Sequence, residues 1–221
     1  PKGILLEGPP GTGKTLIAKA LANESGFNFY YKSASSFIEK YVGMGAKNVR
    51  DIFNEAKKNK PSIIFIDEID AIAGINRESN RSGGDNEYRQ TLNELLAQLD
   101  GFDSDGSVFV LAATNNAAIL DEAIKRPGRF TRIVKVDLPD EKGRYDLLQY
   151  YINKLPKTEC DLDAINYLVA ETEDFSGADL QNLVNEAAIY AVKSGSEGVA
   201  EEHLIFALEK VLKRNGNNIV Y

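Results

Sequence analysis

The chain has 221 residues, of which 43% are hydrophobic, and it carries a net charge of −7 at pH 7. This size and apolar content allow one large domain, or one medium and one small domain, with packed cores. The acidic balance argues against a general affinity for nucleic acid or anionic membranes, because both require concentrated Lys and Arg. The apolar runs are strand-sized and fall short of the roughly 18 residues that a membrane span needs.

The single cysteine and the single histidine restrict the chemistry that the chain can perform. Cys160 excludes an internal disulfide and a cysteine-rich zinc site, which is compatible with a reducing compartment. Because His203 is the only histidine, a histidine-dependent metal site or a Ser-His-Asp triad is disfavoured. We therefore expect packing or surface roles for both side chains, and no zinc in this chain.

The most informative segment runs from Gly3 to Thr15, where an apolar strand enters a glycine-rich turn that ends in Lys-Thr. It matches the P-loop pattern G-x-x-x-x-G-K-[ST] from Gly8 onwards. The glycines, which include Gly11 and Gly13, let backbone N–H groups turn towards phosphate oxygens. Lys14 adds a charge beside the β- and γ-phosphates, and the Thr15 hydroxyl is a ligand for Mg²⁺. The alternative, a plain turn between a strand and a helix, is disfavoured because the whole motif is present in its expected context.

Strand-like apolar runs alternate with helical periods through the first part of the chain. The runs lie at 4–6, 27–31, 63–66, 108–112 and 133–136, and the helical periods lie at 15–25, 46–56 and 92–99. This alternation predicts an α/β fold of the P-loop NTPase type, in which a parallel sheet is sandwiched by helices. The apolar residues of the first helix share one face: Leu16, Ile17, Ala20 and Leu21. The polar segment 76–86 has no periodicity and is expected to be a mobile surface loop.

After Leu138 only helical periods follow, which predicts a small all-helical domain. We accordingly predict a nucleotide-binding α/β domain over 1–138, a helical lid domain over 139–215 and a tail or linker over 216–221. The best lid helix opens at Ser176 as N-cap, with Asp179 completing part of a capping box. Its apolar stripe is expected to be core: Leu180, Leu183, Val184, Ala187, Ala188 and Ala191.

Two acids stand at the carboxyl end of the third predicted strand, where α/β proteins bind their ligands. This arrangement resembles a Walker B motif, in which Asp67 would hold Mg²⁺ and Glu68 would orient and polarise the water that attacks the γ-phosphate. Without the P-loop, a strand that runs into a polar turn would be an equally good interpretation. With the P-loop, the catalytic interpretation is favoured.

The fourth predicted strand ends in Thr-Asn-Asn, which places the neutral amide of Asn115 level with the two acids. Together with the later segment Arg126-Pro127-Gly128-Arg129-Phe130, this resembles the AAA+ ATPases, specifically the AAA group with its second region of homology. The resemblance implies that Asn115 is sensor 1. It also implies that Arg126 and Arg129 are arginine fingers supplied in trans to the neighbouring subunit's nucleotide. From the residues alone, a solvated basic turn would be as good an interpretation of the arginines.

The same resemblance implies ATP and Mg²⁺ as ligands. The choice of ATP over GTP rests on this resemblance. The sequence contains no Asn-Lys-x-Asp element, the motif that would recognise guanine. The residues expected to contact the nucleotide are Gly8, Pro9, Pro10, Gly11, Thr12, Gly13, Lys14, Thr15, Leu16, Asp67, Gly177 and Ala178, and those expected to hold Mg²⁺ are Thr15 and Asp67.

Finer features resemble the FtsH-like, i-AAA and m-AAA proteases. Tyr41, Val42 and Gly43 look like the aromatic-hydrophobic-glycine pore loop that grips an unfolded polypeptide, and the following segment 44–51 is closer to this subgroup than to katanin or valosin-containing protein. The alternative for Tyr41 is an ordinary packing aromatic, which its solvent exposure would distinguish. The segment 82–85 would be the second pore loop.

Several features depart from the family pattern or limit the transfer. The segment Asn116-Ala117-Ala118 stands where the family more often has Arg-Pro-Asp. Thr131 stands where an Asp usually follows the Arg-Phe pair. Both positions bear on the subunit interface. No His-Glu-x-x-His zinc site is present in the sequence, so a protease activity would have to lie outside these residues.

The leading hypothesis is an ATPase module that unfolds and translocates proteins for an FtsH-like protease. By resemblance it would form a homo-oligomeric ring, expected to be a hexamer, and act on unfolded proteins rather than nucleic acid. Any membrane attachment would use segments outside this chain. By resemblance, the membrane would be a bacterial inner membrane or an organellar membrane such as the mitochondrial one. The alternatives are a protease-independent remodelling ATPase of the katanin or valosin-containing type, and a nucleotide-gated assembly module with negligible turnover.

Overall fold

The structure, a computed structural model, describes residues 3–38, 43–74, 84–101 and 107–216. It divides into two compact units. The first comprises residues 1–9 and 13–136, and the second comprises residues 10–12 and 137–221.

The first unit is built on a five-stranded sheet in which every neighbouring pair is parallel. Its strands are β1 (Gly3–Glu7), β2 (Asn28–Ser33), β3 (Ser62–Asp67), β4 (Val108–Thr114) and β5 (Phe130–Lys135), in the spatial order β2-β3-β4-β1-β5. The prediction of a parallel sheet is confirmed. Because the strands run in one direction, the ends of β1, β3 and β4 lie at one edge, with Glu7 opposite Thr114 and Ile66 opposite Ala112.

The helices of this unit are α1 (Lys14–Ser25), α2 (Met44–Lys58), α3 (Asp70–Ala73) and α4 (Gly84–Asp100). Successive residues of β3 point to opposite faces of the sheet, so that Ile64 and Ile66 join one core, and Ile63 and Phe65 join the other. Helix α4 already begins at Gly84, which corrects the prediction of a loop over 76–86 for its last residues. Polar composition does not distinguish a loop from the first turn of a helix.

Helix α1 packs on the sheet through small residues rather than through its larger apolar ones. Ala18 and Ala22 are buried, whereas Leu16 is 69% exposed and Leu21 is 49% exposed. Small side chains let the helix backbone approach the strands closely, so the apolar face recognised in the sequence is not the face that forms the core.

The second unit contains α5 (Glu141–Ile152), α6 (Leu162–Glu171), α7 (Gly177–Lys193) and α8 (Glu201–Gly216), packed around one apolar core. The predicted helical lid is confirmed, with one correction: it is not purely helical, because β6 (Thr158–Glu159) and β7 (Val199–Ala200) pair in parallel. Strands of two residues are too short to show an alternating pattern in sequence. Helix α8 extends to Gly216, the first residue of the predicted tail.

Two local predictions for this unit are confirmed. The capping box of α7 is complete, since the Ser176 hydroxyl accepts from the Asp179 N–H at 3.2 Å and the Asp179 carboxylate accepts from the Ser176 N–H at 2.9 Å. His203 has a packing role: its side chain is 2% exposed, and Nδ1 accepts a hydrogen bond from the Ala200 N–H at 2.9 Å.

Candidate nucleotide site

The P-loop leads directly from β1 into α1. Gly11 and Gly13 have φ angles of 77° and 91°, a left-handed conformation that glycine adopts without steric cost. Gly13 is the residue that precedes α1, so the unpaired N–H groups of the first helical turn lie immediately after the glycine-rich turn. Such a helix start favours an anion.

Lys14 is the buried cation of this site, with 8% of its surface exposed. Its Nζ donates hydrogen bonds to the carbonyl oxygens of Gly8 at 2.7 Å and Pro9 at 2.8 Å, and to Asn115 Oδ1 at 3.2 Å. Burial lowers the pKa of Lys14, and the negative charges of Asp67 and Asp70 oppose that effect. Neutral oxygens compensate a buried ammonium only in part, so phosphate oxygens would be better partners.

Thr15 and the two acids form the second part of the site. The Thr15 hydroxyl donates to Asp67 Oδ2 at 2.7 Å, and the Glu68 N–H donates to Asp67 Oδ1 at 3.0 Å. A hydroxyl and a carboxylate side by side fit Mg²⁺, which usually binds few protein ligands and completes its shell with water and phosphate oxygens. The residues present therefore fit the predicted metal.

Glu68 leaves the strand in an unusual conformation. Its φ of 53° lies in the left-handed region, which is uncommon for residues other than glycine. The side chain is exposed, and one carboxylate oxygen accepts from the Ser33 hydroxyl at 3.3 Å. Residues held in this way cluster at functional sites. A solvent-facing carboxylate next to the Thr15–Asp67 pair is suitably placed to contact a water molecule.

Several functional neighbours were missed by the sequence interpretation. Asp70 Oδ1 accepts from the Thr114 hydroxyl at 2.9 Å, and Glu7 Oε1 accepts from the Ala117 N–H at 2.8 Å. Both contacts fix the chain on either side of Asn115. The signal for Asp70 was present as a third acid after β3, whereas Glu7 looked like an ordinary strand end. Burial and the charges of Asp67 and Glu68 raise the pKa of Tyr31.

The two candidate arginine fingers lie just before β5, away from this cluster. Arg129 donates to Asp100 twice, from Nε at 2.9 Å and from a terminal nitrogen at 2.7 Å, and to the Ala123 carbonyl oxygen at 2.6 Å. The hydrogen bond and charge of Asp100 raise the pKa of Arg129, so it stays charged. Arg126 is exposed. Asp100 was missed because nothing in the sequence indicates its pairing with Arg129 across 29 positions.

The other predicted residues are placed as follows. Gly8 is buried, Pro9 and Pro10 are exposed in the loop with Thr12 partly buried, and Leu16 is exposed on α1. Gly177 and Ala178 begin α7, and the Ala178 N–H donates to the Gly11 carbonyl oxygen at 3.2 Å within the second unit. Tyr41 and Val42 lie outside the described residues, as do 82 and 83, so the exposure of Tyr41 stays untested. Gly43 precedes α2 with a φ of 85°.

Across the described ranges of the chain, each helix is too short or too polar to cross a lipid bilayer. The same residues contain no group of three or more His, Cys, Asp or Glu side chains arranged to hold a metal. A metal at Asp67 would accordingly depend on water and phosphate oxygens for most of its ligands.

Comparison with known proteins identifies both parts of the chain. Residues 4–138 match the family "ATPase family associated with various cellular activities (AAA)", and residues 161–205 match the AAA+ lid domain. Relatives over 96% of the chain include an ATP-dependent zinc metalloprotease FtsH of Hahella chejuensis at 50% identity and one of Pseudothermotoga lettingae, also at 50%. Another is the chloroplastic ATP-dependent zinc metalloprotease FTSH 8 of Arabidopsis thaliana, at 49% identity over 96% of the chain.

The chain spans only about a third of the length of these relatives: 34%, 33% and 30% respectively. The predicted resemblance to AAA ATPases, and within them to the FtsH-like group, is confirmed. With a complete P-loop on a parallel sheet, an adjoining acid pair, a following helical unit and a family match over more than half of its length, this chain belongs to the AAA family of ATPases.

Proposed function

We propose that this chain is the ATPase module of an FtsH-like ATP-dependent protease, and that it uses ATP hydrolysis to unfold and translocate protein substrates. The observation that carries this proposal is the identity of about 50% to proteins named ATP-dependent zinc metalloproteases, which extends over 96% of the chain. The protease activity of those proteins would belong to the part that this chain does not cover.

The site residues support hydrolysis of a phosphoanhydride. Lys14 binds the β- and γ-phosphate oxygens in place of the loop carbonyls that it now contacts. Mg²⁺, when bound by Thr15 and Asp67, offsets the negative charge on the phosphate oxygens. Glu68 accepts a proton from the water that attacks the γ-phosphorus, while the bond to the bridging oxygen of ADP breaks. Asn115 orients that water and adds no charge.

A ring completes the site in this proposal. Arg126 and Arg129 lie outside the Lys14–Asn115 cluster of their own chain, and a neighbouring copy would supply them to stabilise the transition-state charge. Contacts of this head-to-tail kind close into rings, and we propose a homo-hexamer. Tyr41, Val42 and Gly43 would grip unfolded polypeptide in its channel. Membrane attachment, at a bacterial inner membrane or an organellar membrane, stays a prediction.

The proposal is tested by ATP-dependent unfolding of a stable fluorescent protein that carries an unstructured tag. At protein concentrations where the ATPase rate per subunit is constant, the wild type should abolish fluorescence with ATP. Glu68→Gln should bind ATP but lose hydrolysis by at least about 100-fold. Tyr41→Ala should hydrolyse ATP without unfolding, whereas Tyr167→Ala, a matched change at an exposed tyrosine of α6, should behave as wild type.

Two results would contradict the proposal in different ways. A near-zero ATPase rate at every concentration would favour a nucleotide-gated assembly module. Unfolding of the fluorescent protein, combined with the absence of a zinc protease motif in the full-length gene, would favour a remodelling ATPase of the katanin or valosin-containing type.

A further inference from the structure

A buried carboxylate lies at the start of α2, apart from the nucleotide cluster. Glu87, on the second turn of α4, is 5% exposed. Its two carboxylate oxygens accept hydrogen bonds from the Gly43 N–H at 2.7 Å and from the Gly45 N–H at 3.0 Å. Gly43 is the N-cap of α2 and has no side chain with which to bind these amides. The first turn of α2 is therefore capped by a side chain of another helix.

The contact is also sterically close. A methyl group at Gly45 would overlap the Phe37 carbonyl oxygen and the Thr91 hydroxyl, and it would lie 2.9 Å from Glu87 Oε1. The Thr91 hydroxyl is buried, and it has no hydrogen-bond partner among the residues that the structure describes. The start of α2 therefore lies in close contact with Phe37 and with the Glu87 and Thr91 side chains of α4.

Helices α2 and α4 remain side by side beyond this junction. Arg50 on α2 pairs with Glu94 on α4 at 2.8 Å, and Lys57 donates to Gln98 at 3.3 Å. Residue numbers rise together along both helices, so the helices are parallel and begin at the same end. In sequence, the predicted pore loop 41–43 leads into α2, and the predicted second pore loop 82–85 leads into α4.

We propose that Glu87 is a positioning residue for substrate translocation: it ties the start of α2 to α4, so that the two helices keep their relative position when polypeptide is pulled. This inference rests on the proposed unfolding function. The charge matters because a carboxylate presents two acceptor oxygens to two amides, whereas a glutamine presents one acceptor and one donor. Loss of this tie would leave nucleotide chemistry intact and allow α2 to slip when polypeptide is pulled.

The anchor itself is tested by hydrogen exchange on this chain without any substrate. Amides at 45–47 should exchange about tenfold faster in Glu87→Gln and faster still in Glu87→Ala, because local opening no longer breaks a charge-assisted hydrogen bond. Glu94→Gln is the matched control, since it makes the same carboxylate-to-amide change seven positions along α4, where Glu94 pairs with the Arg50 side chain of α2. It should leave those amides unchanged. Equal exchange in Glu87→Gln and wild type would overturn the proposal.

The functional arm compares ATP hydrolysis with unfolding in assembled rings. Glu87→Gln should keep the basal kcat and the KM for ATP within about twofold, and it should raise the ATP consumed per unfolded molecule several-fold. A parallel fall in basal kcat would overturn the proposal, as would unimpaired unfolding by Glu87→Gln when the wild type is active. If the wild type hydrolyses ATP but unfolds nothing, the proposed function fails, and the exchange data still report whether Glu87 anchors α2.

Discussion

At the scale of single residues, Lys14 is a buried cation in the candidate nucleotide site, and its burial has a cost in stability. Its ammonium is buried against neutral carbonyl oxygens and one amide oxygen, while Asp67 and Asp70 lie near enough to influence its pKa. Burial is the larger effect and lowers the pKa. Without phosphate, the charged form is therefore less stable in the folded chain than in water.

This predicts a gain of stability when the charge is removed. Lys14→Met should raise the free energy of unfolding at pH 7 by about 1 kcal/mol and should abolish nucleotide binding. The unfolded pKa is near 10.5 and the folded pKa is lower, so the unfolded chain binds more protons between the two values. The free energy of unfolding of the wild type should therefore rise with pH between the two pKa values. Lys14→Met should not show this rise, because methionine does not titrate.

Urea unfolding at pH 7 and at pH 10, with binding of a fluorescent ATP analogue, measures both effects. Lys19→Met, an exposed lysine on the same helix, serves as the control and should change neither quantity. A Lys14→Met chain that unfolds more easily than wild type at pH 7 would contradict the prediction.

At the scale of elements, the starts of three helices are held in three different ways. Helix α1 begins at Lys14 after a left-handed glycine, α2 begins at a glycine capped by Glu87, and α7 begins with its own capping box. The first and the last of these starts were recognisable from neighbouring residues. The cap of α2 comes from a residue 44 positions away, and such a distant partner has no local pattern.

The cap of α7 gives the prediction at this scale. Ser176→Ala should destabilise the second unit by about 1 kcal/mol, because the Asp179 N–H loses its acceptor inside a nearly buried turn. Hydrogen exchange in the first turn of α7 and urea unfolding should both record the loss. Gln181→Ala, at an exposed position of the same helix, provides the comparison and should shift stability by less than about 0.5 kcal/mol. Equal effects of the two changes would refute the capping role.

At the scale of the whole molecule, one chain holds the candidate nucleotide cluster around Lys14 together with Arg126 and Arg129, which precede β5. Arg129 already has a structural role through Asp100, so its replacement would combine two effects. Arg126 is exposed and provides the cleaner variant. If the ring in our proposal is correct, each active site contains residues from two copies of the chain.

Mixing two inactive variants tests this arrangement. Glu68→Gln has intact arginines and Arg126→Ala has an intact Glu68, so each should hydrolyse ATP poorly alone. In mixed rings, an Arg126→Ala subunit keeps Glu68 and can receive Arg126 from a neighbouring Glu68→Gln subunit. At equal mixing about a quarter of the sites have this pairing, so up to about a quarter of wild-type activity should return. The measurement compares the ATPase rate of the mixture with the average of the rates of the two separate variants. A rate equal to that average would argue against supply in trans.

The sequence by itself determined the parallel α/β fold, the P-loop, the acid pair and the capping box of α7. These depend on residues that are close along the chain, on the period of their apolar positions and on the backbone freedom of glycine. Only the tertiary structure decided that α1 packs through Ala18 and Ala22, that Asp100 holds Arg129 and that Glu87 caps α2. Those contacts join distant positions, and their partners are chosen by the packing of the sheet and helices.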